Sequence, residues 1–244
     1  MSDLVLFERD DAVVTLTLNR PDKRNALNLA LWIELAGHLD TIEALGDAIG
    51  VVVLRSKGPV FCAGNDLKER GAKVPERNYQ AKIVTRLADL QQAVIVAVQG
   101  GCFTGGLELA LAGDIIVASE RGSFADTYGK FALVPAWGMS QRLPRRVGQW
   151  KAREMSLTGL PVSGAEAARI GLANHCVPDG ELDTKVSELA SAIAGQSRHS
   201  TFAYKKLYRE QVDLPLGAGL AHEVFASAGV GPDFAERVSG RFGK

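Results

Sequence analysis

The sequence predicts an α/β fold with a helical C-terminal part, and three observations carry that prediction. Short, β-branched apolar runs alternate with stretches of helical periodicity along the first half of the chain. Two of these runs, Val51–Leu54 and Val94–Val98, are continuously apolar, which is typical of strands buried on both faces. After Ser140 the patterns are mostly helical. We therefore expect a strand-rich core followed by helices.

Individual elements follow from periodicity and from capping residues. Val13–Leu18 alternates apolar residues with threonine, as a half-buried strand does. Asn28 is a good N-cap for an amphipathic helix that reaches Leu45, and Gly46 can end that helix. The same criteria predict helices at Tyr79–Leu90, Leu107–Ala112, Ala165–Ile170 (capped by Ser163) and Glu181–Ala194, a strand at Ile115–Val117, and more helices from Thr201 onward.

Composition excludes several classes of protein. The 28 basic and 28 acidic residues give a formal net charge of zero, so nothing predicts a nucleic-acid partner. The longest uninterrupted apolar run, Ala93–Val98, is far too short to span a membrane. The three cysteines lack paired spacing and the four histidines lack metal-ligand spacing, which predicts neither disulfides nor a metal site. The acidic N-terminus does not resemble a signal peptide, and we expect a cytoplasmic protein.

Two glycine-containing loops follow buried strands, at Phe61–Leu67 and Gly100–Glu108. Glycine lets a backbone turn sharply and lets a ligand approach it closely. A dinucleotide-binding fingerprint fails on spacing, because Cys102 stands where its second glycine would be. Taken alone, the glycines fit either a tight turn between strand and helix or a binding loop.

Glu108 is the strongest candidate for acid/base chemistry. It lies on a predicted short helix whose other residues are leucine and alanine, which indicates a buried helix. Burial without a partner raises the pKa of a carboxyl group towards the range of a useful general acid or base. The alternative is that Glu108 has no catalytic role and only complements the helix dipole with its negative charge in the first turn of the helix.

Several motifs together resemble the enoyl-CoA hydratase/isomerase (crotonase-like) family. The central match is Gly105-Gly106-Leu107-Glu108 with Gly113-Asp114 after it. The resemblance covers most of the chain up to about Val177, in the family's order and spacing. The other matching stretches are Asn19–Pro21, Arg24–Leu27, Phe61–Gly64, Pro135–Leu143, Leu157–Gly159 and Gly171–Ala173.

The resemblance implies a fold, an assembly and a chemistry. The family's core is a spiral of ββα units that binds acyl-CoA, here residues 1–195, and residues 196–244 correspond to a helical trimerisation region. We therefore expect a homotrimer or a dimer of trimers. The substrate would be an acyl-CoA thioester, so that CoA arrives with the substrate and no separate cofactor is needed. The backbone N–H groups of Asn65 and Gly105 correspond to an oxyanion hole, in which each donor lowers the barrier by about 3–4 kcal/mol.

The resemblance also places the CoA moiety of the substrate. Its adenine would lie beside Ala63, Asp66, Leu67 and Lys68. Arg24 would meet its phosphates, for which arginine and lysine are natural partners. The alternative for the charged members of this set is ordinary solvated surface. The implied CoA-binding residues are Arg24, Ala26, Ala63, Asp66, Leu67 and Lys68.

Two positions depart from the family pattern. Counting without gaps from Phe124, Tyr128 stands where family hydratases carry a second catalytic glutamate. A phenol with an ordinary pKa of about 10 replaces a carboxylic acid poorly but can still donate a hydrogen bond. Tyr128 is therefore either a catalytic group or a wall of the pocket, while Asp126 is expected to face elsewhere. Trp137 adds bulk to the substrate site where family members often have small residues.

Three functions fit these residues. The first is hydration of a 2-enoyl-CoA, with Glu108 as the acid/base. The second is another enolate reaction, such as decarboxylation, double-bond isomerisation or C–C cleavage, which the missing second glutamate leaves open. The third is a non-catalytic acyl-CoA-binding protein, against which the retained Glu108 weighs. The sequence lacks Gly-x-Ser-x-Gly, which argues against a serine hydrolase.

Overall fold

The core of the computed structural model, which describes residues 3–69 and 73–242, consists of two sheets. The large sheet has the strand order β1-β2-β3-β4-β6-β9; β1 and β2 are antiparallel, and the other neighbours are parallel. In the small sheet, β7 pairs with β5 in parallel and with β8 in antiparallel. The strands are β1 (Val5–Asp10), β2 (Val13–Leu18), β3 (Val51–Ser56), β4 (Ala93–Val98), β5 (Gly101–Phe103), β6 (Ile115–Ser119), β7 (Ser123–Ala125), β8 (Val162–Ser163) and β9 (His175–Val177).

Helices cover both faces of the large sheet. One face packs against the buried sides of α1, α2 and α3. The other face packs against α7 through Leu182, Val186 and Ala190. The helices are α1 (Leu29–Leu45), α2 (Tyr79–Asp89), α3 (Gly105–Ala110), α4 (Met139–Val147), α5 (Gln149–Thr158), α6 (Gly164–Arg169), α7 (Leu182–Ala194), α8 (Arg198–Gln211), α9 (Leu216–Ala226) and α10 (Phe234–Phe242).

The predicted α/β class is confirmed, and so are the predicted caps. The side chain of Asn28 accepts a hydrogen bond from Leu31 N at 3.0 Å, and Gly46 follows the last residue of α1 with φ of 54°. The side chain of Ser163 likewise caps α6, accepting from Glu166 N at 3.2 Å. The sequence pattern did not reveal β1, because the second half of this edge strand is exposed and carries charged residues instead of an apolar alternation.

The C-terminal helices rest on the core mainly through polar contacts. No residue of α8 is buried. Instead, Lys205 Nζ donates to Asp114 Oδ2 at 2.7 Å and to Gln92 O at 2.8 Å. Phe202 and Leu207 of α8 are half-buried, but many apolar side chains of this region face outward. The most exposed on α8 and α9 are Tyr204, Tyr208, Leu216, Leu220, Val224 and Phe225. Among the described residues, no helix combines the length and the apolar character needed to cross a membrane.

A buried asparagine fixes the loop after β2, which lies next to the predicted CoA residues. The Asn25 side chain is fully buried and accepts from Arg20 N at 2.8 Å. Its amide nitrogen donates to Lys57 O at 2.8 Å and to Val60 O at 2.7 Å. The backbone of Asn25 is left-handed, with φ of 54°, a conformation that asparagine tolerates better than most residues.

We predict that Asn25→Ala lowers the free energy of unfolding by about 2–4 kcal/mol, because it leaves buried backbone groups without partners. Asn78→Ala is a matched control, since Asn78 is exposed, has φ of 59° and makes no side-chain cap bond. The control should cost about 1 kcal/mol or less, which is the backbone contribution alone. Urea denaturation measures both, and equal losses would contradict the role given to the Asn25 hydrogen bonds.

Candidate active site

The two glycine-containing loops predicted from the sequence lie side by side. Cys62 N donates to Gly101 O at 3.0 Å, and Phe103 N donates to Cys62 O at 2.9 Å, so that Cys62 and Cys102 form a parallel bridge. We call residues 61–67 the first loop and residues 100–108 the second loop. Their pairing brings together two segments that lie about forty residues apart in the sequence.

Glycine is required in both loops because their backbones approach each other closely. A Cβ at Gly106 would lie only 2.6 Å from the Cys62 carbonyl oxygen. A Cβ at Gly64, where φ is 102°, would lie 3.1 Å from Phe103 O and 3.5 Å from Gly105 N. The tight-turn explanation of the glycines is therefore incomplete: they also let one loop pack directly against the other.

This packing presents two backbone N–H groups at neighbouring positions. Leu27 N donates to Gly64 O at 2.8 Å, and Asp66 N donates to Leu27 O at 3.0 Å. In such a parallel bridge the N–H of the residue between them, Asn65, points away from the partner strand. Gly105 is the first residue of α3, so its N–H has no acceptor within that helix. The two predicted oxyanion donors are thus brought together on adjoining loops.

Glu108 is fully buried, and both of its carboxylate oxygens are engaged. Oε1 accepts from Trp137 N at 2.8 Å and from Met139 N at 3.0 Å. Oε2 accepts from the hydroxyl of Tyr128. All residues of α3 are buried, as the apolar composition predicted. The carboxylate therefore stands in an enclosed position with three hydrogen-bond donors around it.

Burial and hydrogen bonding act on the Glu108 carboxyl in opposite directions. Burial raises its pKa above the ordinary glutamate value, and the hydrogen bonds from Tyr128, Met139 and Trp137 lower it in part. Burial also raises the pKa of the Tyr128 phenol, and the adjacent negative charge of Glu108 adds to this. Tyr128 therefore stays protonated and acts as a hydrogen-bond donor.

Trp137 is fixed through its backbone and through its ring. Its carbonyl oxygen accepts from Arg142 Nη1 at 2.7 Å, while its N–H holds Glu108. Its indole packs edge-on against Trp32, with ring centroids 5.1 Å apart and planes at 78°. On its other side the indole covers Gly105, where an added Cβ would lie 2.4 Å from Cζ3. Trp137 thus contacts both Glu108 and Gly105, one of the predicted oxyanion donors.

The residues predicted to bind CoA cluster where the chain after β2 meets the first loop. Ala63 N donates to Arg24 O at 3.0 Å, which joins the two segments. Arg24, Leu67 and Lys68 are exposed, and Ala26, Ala63 and Asp66 are half-buried. Within the part of the chain that the structure describes, no group of three or more His, Cys, Asp or Glu side chains is arranged to hold a metal ion.

The structure adds two side chains, Arg20 and Arg142, to which the sequence patterns gave no role, and it adds a contact of Asp126. Arg20 pairs with Asp66 at 3.2 Å, and Arg142 holds the backbone of Trp137. Asp126, expected to face elsewhere, is buried and accepts from Tyr128 N at 3.2 Å. Each of these contacts involves a backbone atom or a residue distant in sequence, so residue spacing gives no signal for it.

A family model described as enoyl-CoA hydratase/isomerase matches residues 8–228. Among curated proteins, the 2,3-dehydroadipyl-CoA hydratase of Escherichia coli (strain K12) is 34% identical over 226 residues, covering 91% of this chain and 88% of the relative. The crystal structure of an enoyl-CoA hydratase from Bacillus anthracis has 33% identity and a TM-score of 0.91, covering 97% of this chain and 95% of that one.

A further structure, that of a protein from Thermobifida fusca YX assigned as an enoyl-CoA hydratase, was solved in complex with CoA. It is 29% identical with a TM-score of 0.83 and covers 91% of either chain. The predicted family, the crotonase-like α/β fold and the hydratase-like function are confirmed by these matches. This chain belongs to the enoyl-CoA hydratase/isomerase family and is an enoyl-CoA hydratase-like enzyme.

Proposed function

We propose that the protein hydrates a 2-enoyl-CoA thioester, with Glu108 as its acid/base. The observation that carries this proposal is the fully buried carboxylate of Glu108, which lies on the helix that begins with Gly105. A carboxylate is costly to bury, and a protein that only bound acyl-CoA would gain nothing from one at this place. Burial also raises its pKa, which suits a group that both accepts and returns a proton.

The N–H groups of Asn65 and Gly105 are proposed to hold the thioester oxygen. Negative charge develops on that oxygen as water adds to the β carbon of the enoyl group. Donors that are already fixed stabilise this charge without having to reorient during the reaction. Gly105 is held by the Trp137 ring and by the packing of the first loop, so its N–H is fixed in this way.

Glu108 is proposed to move the protons of the reaction. It takes one proton from the attacking water, the hydroxyl oxygen bonds to the β carbon, and a proton is delivered to the α carbon to complete the addition. The Tyr128 hydroxyl donates a hydrogen bond to Oε2, the second carboxylate oxygen of Glu108. Since Tyr128 stays protonated, Glu108 handles both transfers itself or shares one with solvent.

The Tyr128–Glu108 contact also favours a second candidate function, double-bond isomerisation. Moving a double bond within an enoyl-CoA transfers one proton from carbon to carbon, which a single carboxylate can do without holding a water molecule. The two functions are distinguished by their products. Hydration of crotonyl-CoA adds the mass of one water, whereas isomerisation of a 3-enoyl-CoA keeps the mass and creates a conjugated thioester.

The exposed Arg24 is proposed to meet the phosphates of CoA, with Ala63, Asp66, Leu67 and Lys68 around its adenine and Ala26 as a further contact. The two segments that carry these residues are joined by backbone hydrogen bonds. The Arg20–Asp66 ion pair further restrains the first loop. CoA is part of the substrate, and the proposed chemistry uses no separate cofactor.

We predict that Glu108→Gln lowers turnover of crotonyl-CoA by about 10²–10⁴, because the amide keeps the shape but cannot exchange the proton. Calorimetry should give an unchanged affinity for CoA, since the carboxylate faces the acyl group. Unchanged turnover in a folded variant would exclude the acid/base role of Glu108. Lost CoA binding would show that the residue supports the site structurally instead.

We predict that Tyr128→Phe moves the acidic limb of the kcat/KM profile to higher pH. The phenol stabilises the ionised carboxylate, so its removal raises the pKa of Glu108, and the base becomes ionised only at higher pH. Above that limb the rate should remain within a few-fold of wild type. An unmoved limb would contradict this account, and a tenfold to hundredfold lower plateau would show that the hydroxyl takes part in proton transfer.

We also propose that the chain forms a trimer or a dimer of trimers through residues 196–244. The exposed apolar side chains of α8 and α9 support this proposal. Light scattering at micromolar concentration should give three or six times the mass of one chain. Phe225→Asp, at a side chain that is 92% exposed in the single chain, should shift the population towards lower mass. A monomeric wild type would refute the assembly.

A further inference from the structure

We infer that Trp137 makes the enzyme selective for short acyl chains, such as a crotonyl group, by closing the space beside the reacting carbons. This inference rests on the proposed function, because it uses the positions proposed for the thioester oxygen and the base. It adds the class of substrate and the residue that determines it.

The position of the indole relative to Gly105 is the first step. A Cβ at Gly105 would lie 2.4 Å from Trp137 Cζ3 and 3.2 Å from Cε3, so the ring lies directly over the Gly105 backbone. The backbone N–H of the same tryptophan holds Glu108 at 2.8 Å. The reacting carbons must lie between the Gly105 N–H and the Glu108 carboxylate. They therefore lie against the Trp137 side chain.

The second step is that this ring is held in place. The backbone of Trp137 is fixed at both ends: its N–H donates to Glu108 at 2.8 Å, and its carbonyl oxygen accepts from Arg142 at 2.7 Å. The ring edge meets Trp32, which belongs to α1 and is fully buried. Core side chains of this kind are close-packed and do not yield easily to an added group. A long acyl chain cannot displace the indole without separating it from the Trp32 ring and from the Gly105 backbone.

The third step concerns the other side of the base. The Tyr128 hydroxyl contacts Oε2 of Glu108, and the carboxylate has no exposed surface. Tyr128 and Trp137 are both half-buried and pack against the main core. An acyl chain that extends past the β carbon therefore meets aromatic groups on two sides of Glu108. A crotonyl group extends past the β carbon by a single methyl group and therefore needs little space there.

The test compares kcat/KM for crotonyl-CoA and trans-2-decenoyl-CoA in wild type, Trp137→Ala and Trp137→Leu. Wild type should prefer crotonyl-CoA by at least about tenfold, and both variants should raise the decenoyl-to-crotonyl ratio by at least about tenfold. Trp32→Phe, which only weakens the support behind the ring, should raise the ratio less. Trp150→Ala is the matched control, because Trp150 is 78% exposed on α5 and should leave the ratio unchanged.

A binding measurement separates this inference from the proposed reaction. S-butyl-CoA and S-decyl-CoA are thioethers that cannot react, and calorimetry should show tighter binding of S-butyl-CoA to wild type and a reversed order in Trp137→Ala. If no enoyl-CoA is hydrated but this reversal occurs, the hydratase proposal fails and the chain-length inference stands. The inference is overturned if wild type binds S-decyl-CoA more tightly, if neither thioether binds, or if folded Trp137 variants keep the wild-type ratio.

Discussion

The close contact between the first and second loops is the constraint on which the rest of the site depends. Gly106 lies so near Cys62 that even one methyl group would force the loops apart. Because the loops touch, α3 is pressed into the core and Glu108 enters it as well. The same contact sets the N–H groups of Asn65 and Gly105 next to each other. Local backbone packing thereby fixes both of these N–H groups and the Glu108 carboxylate.

A buried carboxylate must be compensated, and the segment around Trp137 supplies most of the compensation. Two of its backbone N–H groups converge on Oε1, a geometry that the left-handed Gly138 between them permits, with φ of 118°. Arg142 holds the same segment from the carbonyl side. These hydrogen bonds stabilise the ionised form of the carboxyl group, yet burial keeps its pKa above the ordinary glutamate value. This balance suits a group that must be ionised and also carry a proton.

The sequence predicted the parts of the fold that short-range patterns determine. The cap at Asn28 and the apolar run at Val51–Leu54 both depend on a few adjacent residues, and both were found. β1 was missed because an edge strand needs no apolar alternation. At the site, Glu108 stood out as one acidic residue in an apolar helix. The role of Arg142 was not visible, because its partner is a backbone carbonyl whose direction only the folded turn defines.

The pairing of Trp32 with Trp137 has an optical consequence. The chain has three tryptophans. Trp32 and Trp137 are in edge-to-face contact, with Trp137 against Gly105, while Trp150 lies on the surface. Indoles shielded from water emit at shorter wavelengths than hydrated ones, so the blue side of the emission spectrum comes chiefly from the pair. Any molecule that seats against the Trp137 ring alters the surroundings of that emission. The protein therefore carries an intrinsic fluorescent reporter next to Gly105 and Glu108.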